Sequence, residues 1–446
     1  MSNVLRVYAN LFAFAAVKDD GSVVTWGLAA AGGDSSSVRT QLSTGVCTIF
    51  STRSAFAALK EDGSVVTWGN VQSGGGPHPC TGAVQSISAT DAAFAALTRT
   101  SGVHAWGDPA AGGHPHEVSA DLAGGVLAVF ACKCAFAAMK HDGSVVCWGA
   151  AVARQGFDSV RCKFGNMQVR HIASTSNAFA ALMAGGSVIC WGDPACGGDS
   201  SGVDEHLQDD IVKIYSNEVA FAAVKRGGVV VPWGGHYLDL DLCSTGQRLD
   251  GVEQVAATRL AFAGLKSDGT VVTWGHRNRG GDSSAVARQL REVRKVCASD
   301  SAFAAVTVSG AVVTWGVKDE GGNYCSADEL LESDVHDVHS TCNAFMAIKY
   351  DGLHISSGDE KRDRATAQQV QSLHVSPTAD SIPLLVGPRK KEPKGNNQEV
   401  PRDPSLLDGQ AVPERFRACS THLAWLAAEK EVQDVRQLVH VSGDEG

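Results

Sequence analysis

The most regular feature of the chain is a fifteen-residue stretch, AFAALKEDGSVVTWG, which begins at Ala55 and in which two mostly apolar runs flank a polar centre. Its first six residues place Ala-Ala-Leu on one face and Phe-Ala-Lys on the other, and Ser64 to Trp68 alternate in the same way. Because successive side chains of a strand point to opposite faces, both stretches are predicted to be strands. The Asp62-Gly63 pair between them is typical of a hairpin turn. Neither face is plainly polar, which indicates a sheet covered on both sides.

Near-copies of this stretch make the chain a repeat protein. Nine copies follow one another with an average spacing of about 41 residues, a period typical of propellers, solenoids and arrays. Their Phe residues are Phe14, Phe56, Phe94, Phe136, Phe179, Phe221, Phe262, Phe303 and Phe345. A Trp-Gly pair follows each Phe in eight copies, and the ninth has Ser357-Gly358 instead. A third strand, such as Val46 to Phe50, precedes each hairpin. A ring of blades covers every sheet on both sides, so the predicted fold class is an all-β β-propeller of about nine short repeats, closed on itself.

The repeat pattern also divides the chain into three parts. Residues 1–358 are predicted to form the repeat β-propeller domain. Residues 359–418 are rich in polar residues and Pro, which is typical of a polar, partly disordered linker. Residues 419–446 are predicted to form a short C-terminal amphipathic helix and tail, because apolar residues recur there at steps of three and four. These residues are Trp425, Ala428, Val432, Val435 and Val439. The helix is expected either to dock on the propeller or to bind a partner.

The repeated D-G-x-V-x-x-W-G core, preceded by A-F-A-A-L-K, resembles the regulator of chromosome condensation repeat over Val4 to Gly358. The resemblance implies a β-propeller whose loops and rims bind other proteins. It also implies two narrower functions, which are nucleotide exchange on a small GTPase and, since related repeats occur beside HECT ligase domains, recognition in ubiquitin transfer. The repeats here are shorter than is typical of that family. The connector GGDSS, at Gly32 to Ser36, replaces the usual Gly-Gln-Leu-Gly, so no partner-binding residue is transferred to this chain.

Composition and charge narrow the class of function. The formal net charge of −10 over 446 residues makes nucleic acid an unlikely partner on bulk electrostatics. The sequence holds no run of about 18 apolar residues, so no membrane span is expected. The start MSNVLRVYAN lacks the pattern of a signal peptide. The thirteen Cys are scattered and are interpreted as reduced thiols, which favours a cytoplasmic location. The basic run at 388–391 makes the nucleus the alternative location.

Candidate chemistry is sparse in the sequence. It contains no G-x-S-x-G, Walker loop or H-E-x-x-H, so the chain is not expected to be an enzyme. No catalytic, cofactor-binding or metal-binding residue is assigned, and no cofactor is expected. The single C-x-C, Cys132-Lys133-Cys134, is interpreted as two core-filling thiols, with a zinc site as the less favoured alternative.

Departures from the repeat pattern supply the candidate partner-binding residues. Arg154 and Phe157 lie in an unusual connector, and His236 and Tyr237 follow an unusual Gly-Gly pair. These four are the candidate rim contacts, and drift between repeats is the favoured alternative explanation. The expected function is a non-catalytic protein–protein interaction scaffold with a protein partner. The alternatives are a guanine nucleotide exchange factor for a small GTPase and a recognition subunit in ubiquitin transfer.

Overall fold

The chain forms nine three-stranded antiparallel sheets, one for each repeat. The computed structural model describes residues 4–165, 167–235, 249–322, 331–340 and 343–357. In every sheet the three strands are neighbours in chain order, so each sheet is a simple up-and-down blade. The prediction of an all-β protein with nine propeller-type blades is therefore confirmed. The predicted linker at 359–418 and the predicted helix and tail at 419–446 lie outside the described residues.

The blades are numbered 1 to 9 and their strands β1 to β27 in chain order. The strands are Val4–Ala9, Ala13–Lys18 and Val23–Gly27 (blade 1); Val46–Ser51, Ala55–Lys60 and Val65–Gly69 (blade 2); Val84–Ala89, Ala93–Thr98 and Val103–Gly107 (blade 3); Val126–Ala131, Ala135–Lys140 and Val145–Gly149 (blade 4); Val169–Ser174, Ala178–Met183 and Val188–Gly192 (blade 5); Ile211–Ser216, Ala220–Lys225 and Val230–Gly234 (blade 6); Val252–Ala257, Ala261–Lys266 and Val271–Gly275 (blade 7); Val293–Ala298, Ala302–Thr307 and Val312–Gly316 (blade 8); and Val335–Ser340, Phe345–Lys349 and His354–Ser357 (blade 9). Helix α1, Ala151–Phe164, connects blades 4 and 5, and short 3-10 turns occupy most other connectors.

In five of the nine blades the hairpin turn is made by an Asp-Gly pair. In blade 2 the Asp62 carboxylate accepts a hydrogen bond from the backbone N–H of Ser64 at 2.8 Å. Gly63 has φ +83°, and a Cβ at this position would lie 2.8 Å from the Cβ of Ala83. A side chain there would be strained both by the backbone and by the neighbouring strand. The turn of blade 2 therefore requires Gly63, and Asp62 holds it by a hydrogen bond.

Consecutive blades pack through two different faces. We call the face with Phe and Trp the leading face and the face with small residues the trailing face. In blade 2 the leading face consists of Ile49, Phe56, Ala58, Val66 and Trp68, and in blade 1 the trailing face consists of Tyr8, Ala13, Ala15 and Val17. Eight apolar clusters join the nine blades, and in each of them the trailing face of one blade packs on the leading face of the next. Small residues on one side let the sheets approach, and the aromatic rings fill the space between them.

A hydrogen bond fixes the orientation of the Trp at these junctions. The rings of Phe56 and Trp68 stack with centroids 5.3 Å apart, and Trp68 Nε1 donates to the carbonyl of Gly32 at 3.0 Å. Gly32 has φ +96°, and a Cβ there would lie 2.7 Å from Phe56 Cδ2. The connector glycine of one repeat thus accepts the hydrogen bond from the Trp of the next blade and leaves room for the Phe ring of that blade. The same bond, at 3.0 Å, joins Trp106 to Gly74, Trp148 to Gly112, Trp233 to Gly197 and Trp315 to Gly280.

A second set of bonds links the backbones of successive blades. In the turn between the first two strands of each blade, one backbone N–H donates to the carbonyl of the equivalent residue in the next blade. The donors are Leu11, Arg53, Asp91, Lys133, Ser176, Glu218 and Arg259, and the last acceptor is Asp300, with distances from 2.8 to 3.3 Å. We call this row of bonds the turn ladder. It satisfies backbone groups that a separate blade would leave unpaired.

The prediction of a closed ring is wrong for the described residues, because the two end faces do not cover each other. Val24 on the leading face of blade 1 is 42 % exposed, whereas its equivalent Val66 is 6 % exposed. The apolar cluster on the leading face of blade 1 contains residues of that blade alone. On the trailing face of blade 9, His339 stands where most other blades have an apolar residue, and Asp337 lies close to it. A polar face of this kind cannot replace the alanine-rich faces that cover Phe and Trp elsewhere.

The first prediction compares two equivalent Trp residues. Trp148 is buried between blades 3 and 4, and its Nε1 donates to Gly112. We expect Trp148→Ala to lower the free energy of unfolding by about 3–5 kcal/mol, the usual loss on emptying a buried aromatic site. Trp26 is half-buried on the uncovered face, so Trp26→Ala is expected to cost less than half as much. Denaturant unfolding of both variants checks this, and equal losses would show that Trp26 is also enclosed.

Candidate functional site

The leading face of blade 1 is the largest departure from the packing of the other blades. Cross-strand pairing places Val7 beside Ala16 and Ala16 beside Val24, and it places Phe14 beside Trp26. These side chains therefore form one continuous apolar surface. The rings of Phe14 and Trp26 are stacked with centroids 5.3 Å apart and an interplanar angle of 10°. The surface is thus built in the same way as the covered leading faces.

Exposure separates this surface from its equivalents. Phe14 and Trp26 are half-buried, while Phe56 and Trp68 in blade 2 are almost fully buried. Further exposed apolar side chains lie at the same end of the stack, in the turn and connector of blade 1. They are Leu11, Phe12 and Leu28. An exposed apolar surface of this extent is typical of an interaction site rather than of ordinary surface scatter.

The backbone at this end is also open. Leu11 donates its N–H to Arg53 at 3.3 Å and is the first residue of the turn ladder. In each later turn of the ladder the carbonyl accepts a bond from the preceding blade, but within the described residues no blade precedes Leu11. The end of the stack therefore offers a hydrogen-bond acceptor beside the apolar face, as an edge strand does.

The opposite end of the stack carries charged and polar side chains beside the half-buried Met346 and Ile348. On the trailing face of blade 9, Asp337 binds Lys295 of blade 8, and His339 Nε2 lies 3.7 Å from Asp337 Oδ2. Burial tends to raise the pKa of Asp337, but the hydrogen bond and charge of Lys295 outweigh it and hold the pKa below its usual value. Repeat proteins need terminal repeats with polar outer faces to stay soluble. Blade 9 meets this requirement and blade 1 does not.

The turn ladder carries charged side chains, but they neutralise one another. Arg259 lies 2.9 Å from Glu218 and 3.9 Å from Asp300, and Lys133 lies 3.2 Å from Glu218. Burial raises the pKa of Asp300 despite the nearby Arg259. Because the charges alternate along the ladder, this surface does not attract a strongly charged ligand of either sign.

The four residues singled out in the sequence do not form one site. Arg154, on α1, binds Glu117 of the preceding connector and is partly exposed. Phe157 is 4 % exposed and packs edge-on against Trp191, with ring centroids 5.6 Å apart. The assignment of Phe157 as a rim contact is therefore wrong, because its ring fills the core under the helix. His236 and Tyr237 lie outside the described residues.

Helix α1 explains why Phe157 is buried. The helix replaces the glycine connector of the other repeats, and Gly156 lies so close to blade 5 that a Cβ there would be 2.6 Å from the backbone N of Gly192. With the connector glycine gone, Trp191 Nε1 lacks the bond to a glycine carbonyl that Trp68 and four of its equivalents make. Phe157 and Phe164 pack against its ring instead. The unusual connector sequence is thus accounted for by packing.

Other features of the described residues show no converging chemistry. No group of three or more His, Cys, Asp or Glu side chains is placed to hold a metal ion there. Among these residues no helix is long and apolar enough to cross a membrane. An open groove of about 740 Å³ lies between the connectors that follow blades 2 and 3. Beside it the ring of His78 packs on Trp106 and its Nε2 bonds to the carbonyl of Val65, so this His serves packing.

Comparison with known proteins finds similar folds only at low identity. No protein-family model matches the chain, and no curated protein sequence matches it. The ectodomain of the Physcomitrella patens receptor kinase CR4 is 19 % identical, covers 59 % of this chain and 70 % of its own, and has a TM-score of 0.33. Prp20p from Saccharomyces cerevisiae is 16 % identical over 61 % of this chain and 72 % of its own, with a TM-score of 0.32. Human WBSCR16 is 16 % identical over 78 % of this chain and 88 % of its own, also at 0.32. At these values the likeness carries no argument about activity.

The sequence reasoning missed the uncovered face, although the sequence contains a signal for it. His339 and His354 occupy positions of the ninth repeat that are mostly apolar in the earlier repeats. That change indicates a terminal capping repeat and hence a stack with two ends. A stack leaves the leading face of one end blade uncovered, and within the described residues that blade is blade 1.

Proposed function

We propose that the protein is a non-catalytic scaffold that binds a protein partner on the leading face of blade 1. The observation that carries the proposal is the exposure of this face, which is built from the same Phe, Trp and Val positions as seven enclosed faces. Large aromatic residues in a flat apolar surface are typical of the centre of a protein interface. The half-buried pair Phe14 and Trp26 supplies these aromatic residues.

The kind of surface expected on the partner can be inferred from the trailing faces that cover the leading faces of the later blades. Ala13, Ala15 and Val17 of blade 1 cover Phe56 and Trp68 of blade 2. A partner for blade 1 is therefore expected to present a sheet or helix face of small apolar residues. The acceptor at the Leu11 carbonyl favours a partner that also donates a backbone N–H, as an added strand does.

The use of the acidic side chains supports a non-catalytic role. The Asp62 carboxylate is occupied by the side chain and backbone of Ser64, and these bonds lower the pKa of Asp62. Asp142 and Asp268 are held in the same way by Ser144 and Thr270. Carboxylates held ionised by their own turns are poorly suited to general acid–base catalysis near neutral pH.

The second prediction places a charge on the proposed binding face. Val24→Glu introduces a carboxylate beside Trp26, which a covering partner would have to desolvate. We expect this change to weaken partner binding at least about tenfold. Val71→Glu is the matched control, because Val71 is also exposed but lies in the connector after blade 2. Wild-type and variant chains are first used as bait in extracts of the source organism to find a partner. The partner is then purified, and its binding to each chain is measured by calorimetry.

A partner supports the proposal only when it is retained by wild type and Val71→Glu, is lost with Val24→Glu, and binds directly once purified. A partner that binds all three chains equally would contradict the assignment of the face.

Residues 359–446 provide an internal test. If a chain ending at residue 358 binds the partner much more tightly than the full chain, the tail competes for the same face.

Two narrower functions are proposed on the motif resemblance alone. One is guanine nucleotide exchange on a small GTPase. Prp20p, one of the similar structures, is described by its binding to Gsp1p and histones. The other narrower function is recognition in ubiquitin transfer, which needs a separate ligase partner.

The third prediction tests the exchange function. If it is correct, the purified full chain should accelerate release of a labelled guanine nucleotide from at least one GTPase of a panel by about tenfold or more. Val24→Glu should remove the acceleration if the GTPase docks on blade 1. A panel without any acceleration would eliminate the exchange function and leave the scaffold proposal standing.

A further inference from the structure

The turn between the first two strands of blade 4 differs from the same turn in every other described blade. In blade 2 this position holds Thr52, whose Oγ1 accepts from the backbone N–H of Ala55 at 3.1 Å and donates to the carbonyl of Ser73 at 3.0 Å. Thr90, Thr175, Thr258 and Ser299 do the same, Asn10 does so with its amide group, and Asn217 makes only the first bond, through Oδ1. Blade 4 has Cys132 at this position. Blade 4 therefore has a thiol in place of the hydroxyl or amide group that hydrogen-bonds the turn in the other described blades.

The same turn carries a second thiol two residues later. Cys132 and Cys134 lie on either side of Lys133 in a turn closed by the Cys132 N–H to Ala135 carbonyl bond at 2.9 Å. Cys134 Sγ lies 3.4 Å from Asn177 Oδ1, a residue of the equivalent turn in blade 5. Neither the hydrogen bonds that hold the turn nor the packing of the core requires a Cys at position 134, since Ser54 and Ala92 occupy the equivalent positions in blades 2 and 3. The structure therefore brings together two thiols that the repeat itself does not call for.

We propose that Cys132 and Cys134 form a redox-active dithiol that is oxidised to an intramolecular disulfide by a low-molecular-weight disulfide such as oxidised glutathione. The site is distinct from the binding face of blade 1. It also differs from a zinc site, because two thiols do not complete a tetrahedral set and no third ligand is placed beside them within the described residues.

The environment assigns a different role to each thiol. Cys132 is 2 % exposed, whereas Cys134 is half-buried and is the more exposed residue of the two. The interaction with the Cys132 thiol lowers the pKa of Cys134, against the opposing effects of burial, Asp91 and Asp193, and Lys133 adds to the lowering. The interaction with Cys134, together with burial, raises the pKa of Cys132. Cys134 is accordingly the attacking thiolate and Cys132 the resolving thiol.

The reaction then runs in two exchange steps. The Cys134 thiolate attacks one sulfur of oxidised glutathione, whose S–S bond breaks, and one glutathione leaves as a thiolate that takes up a proton from water. Cys132 loses its proton and attacks Cys134 Sγ, which breaks the mixed disulfide and releases the second glutathione. Two protein thiols are oxidised, and one glutathione disulfide is reduced to two glutathione thiols.

The fourth prediction is read by mass spectrometry on the reduced full chain after exposure to oxidised glutathione. Chymotrypsin cuts after Phe130 and Phe136, so both thiols lie in the peptide 131–136. We expect this peptide to lose the mass of two hydrogens and to regain it on reduction. Under limiting iodoacetamide, Cys134 should be alkylated at least about tenfold faster than the exposed Cys47, whose pKa is raised by burial and by Glu61.

Two variants separate the roles of the thiols. Cys132→Thr restores the residue of blades 2 and 3 and should stop the reaction at a glutathione mixed disulfide on Cys134. Cys134→Ser should leave Cys132 reduced, while Cys162→Ser, which removes an exposed thiol on α1, should react as wild type does. The proposal is overturned if the wild-type peptide stays reduced while Cys47 and Cys162 acquire glutathione, or if wild type stops at the mixed disulfide. The wild-type measurement needs no variant to fold.

Discussion

The structure depends on one repeated contact, in which alanine-rich strands of one blade pack on the Phe and Trp of the next. A single blade has two apolar faces and cannot remain in water alone. Ala55 and Ala57 allow the next sheet to approach, and Phe94 and Trp106 fill the space that their small side chains leave. The connector glycine completes the contact by accepting the Trp Nε1 hydrogen bond. The near identity of the repeats follows, because each copy must fit both the copy before it and the copy after it.

This contact is directional, and so the stack has two unlike ends. The trailing face of the last blade carries polar groups. The aromatic leading face of the first blade is exposed, whereas the leading face of every later blade is covered by the blade before it. Ring closure would bring Asp337 and His339 against Phe14 and Trp26, a pairing that desolvates polar groups without replacing their partners. The end that is left apolar is therefore the part of the described structure best suited to bind another protein.

Much of the fold could be predicted from the sequence, because local and repeated signals agree. The alternation in AFAALK, the Asp62-Gly63 turn and the recurring Phe-to-Trp spacing gave strands, hairpins and nine blades, all of which the structure has. Closure was predicted wrongly because it depends on the fit between two distant repeats, which no local pattern shows. Phe157 was misplaced because burial under α1 is a tertiary effect that its local sequence does not show. The meaning of Cys132 became apparent only when the bonds of Thr52 and its equivalents were known.

The central claim, that the leading face of blade 1 is open in the full chain, is tested most directly by hydroxyl-radical footprinting of the tryptophans. The nine Trp residues include Trp26 and the buried equivalents Trp68, Trp106 and Trp148, which occupy the same position of their blades and differ in being covered. Peptide mass spectrometry should show that Trp26 is oxidised several times faster than these three in the native protein. Equal, slow oxidation of all four would mean that another part of the chain or a second copy covers blade 1, and it would contradict the account.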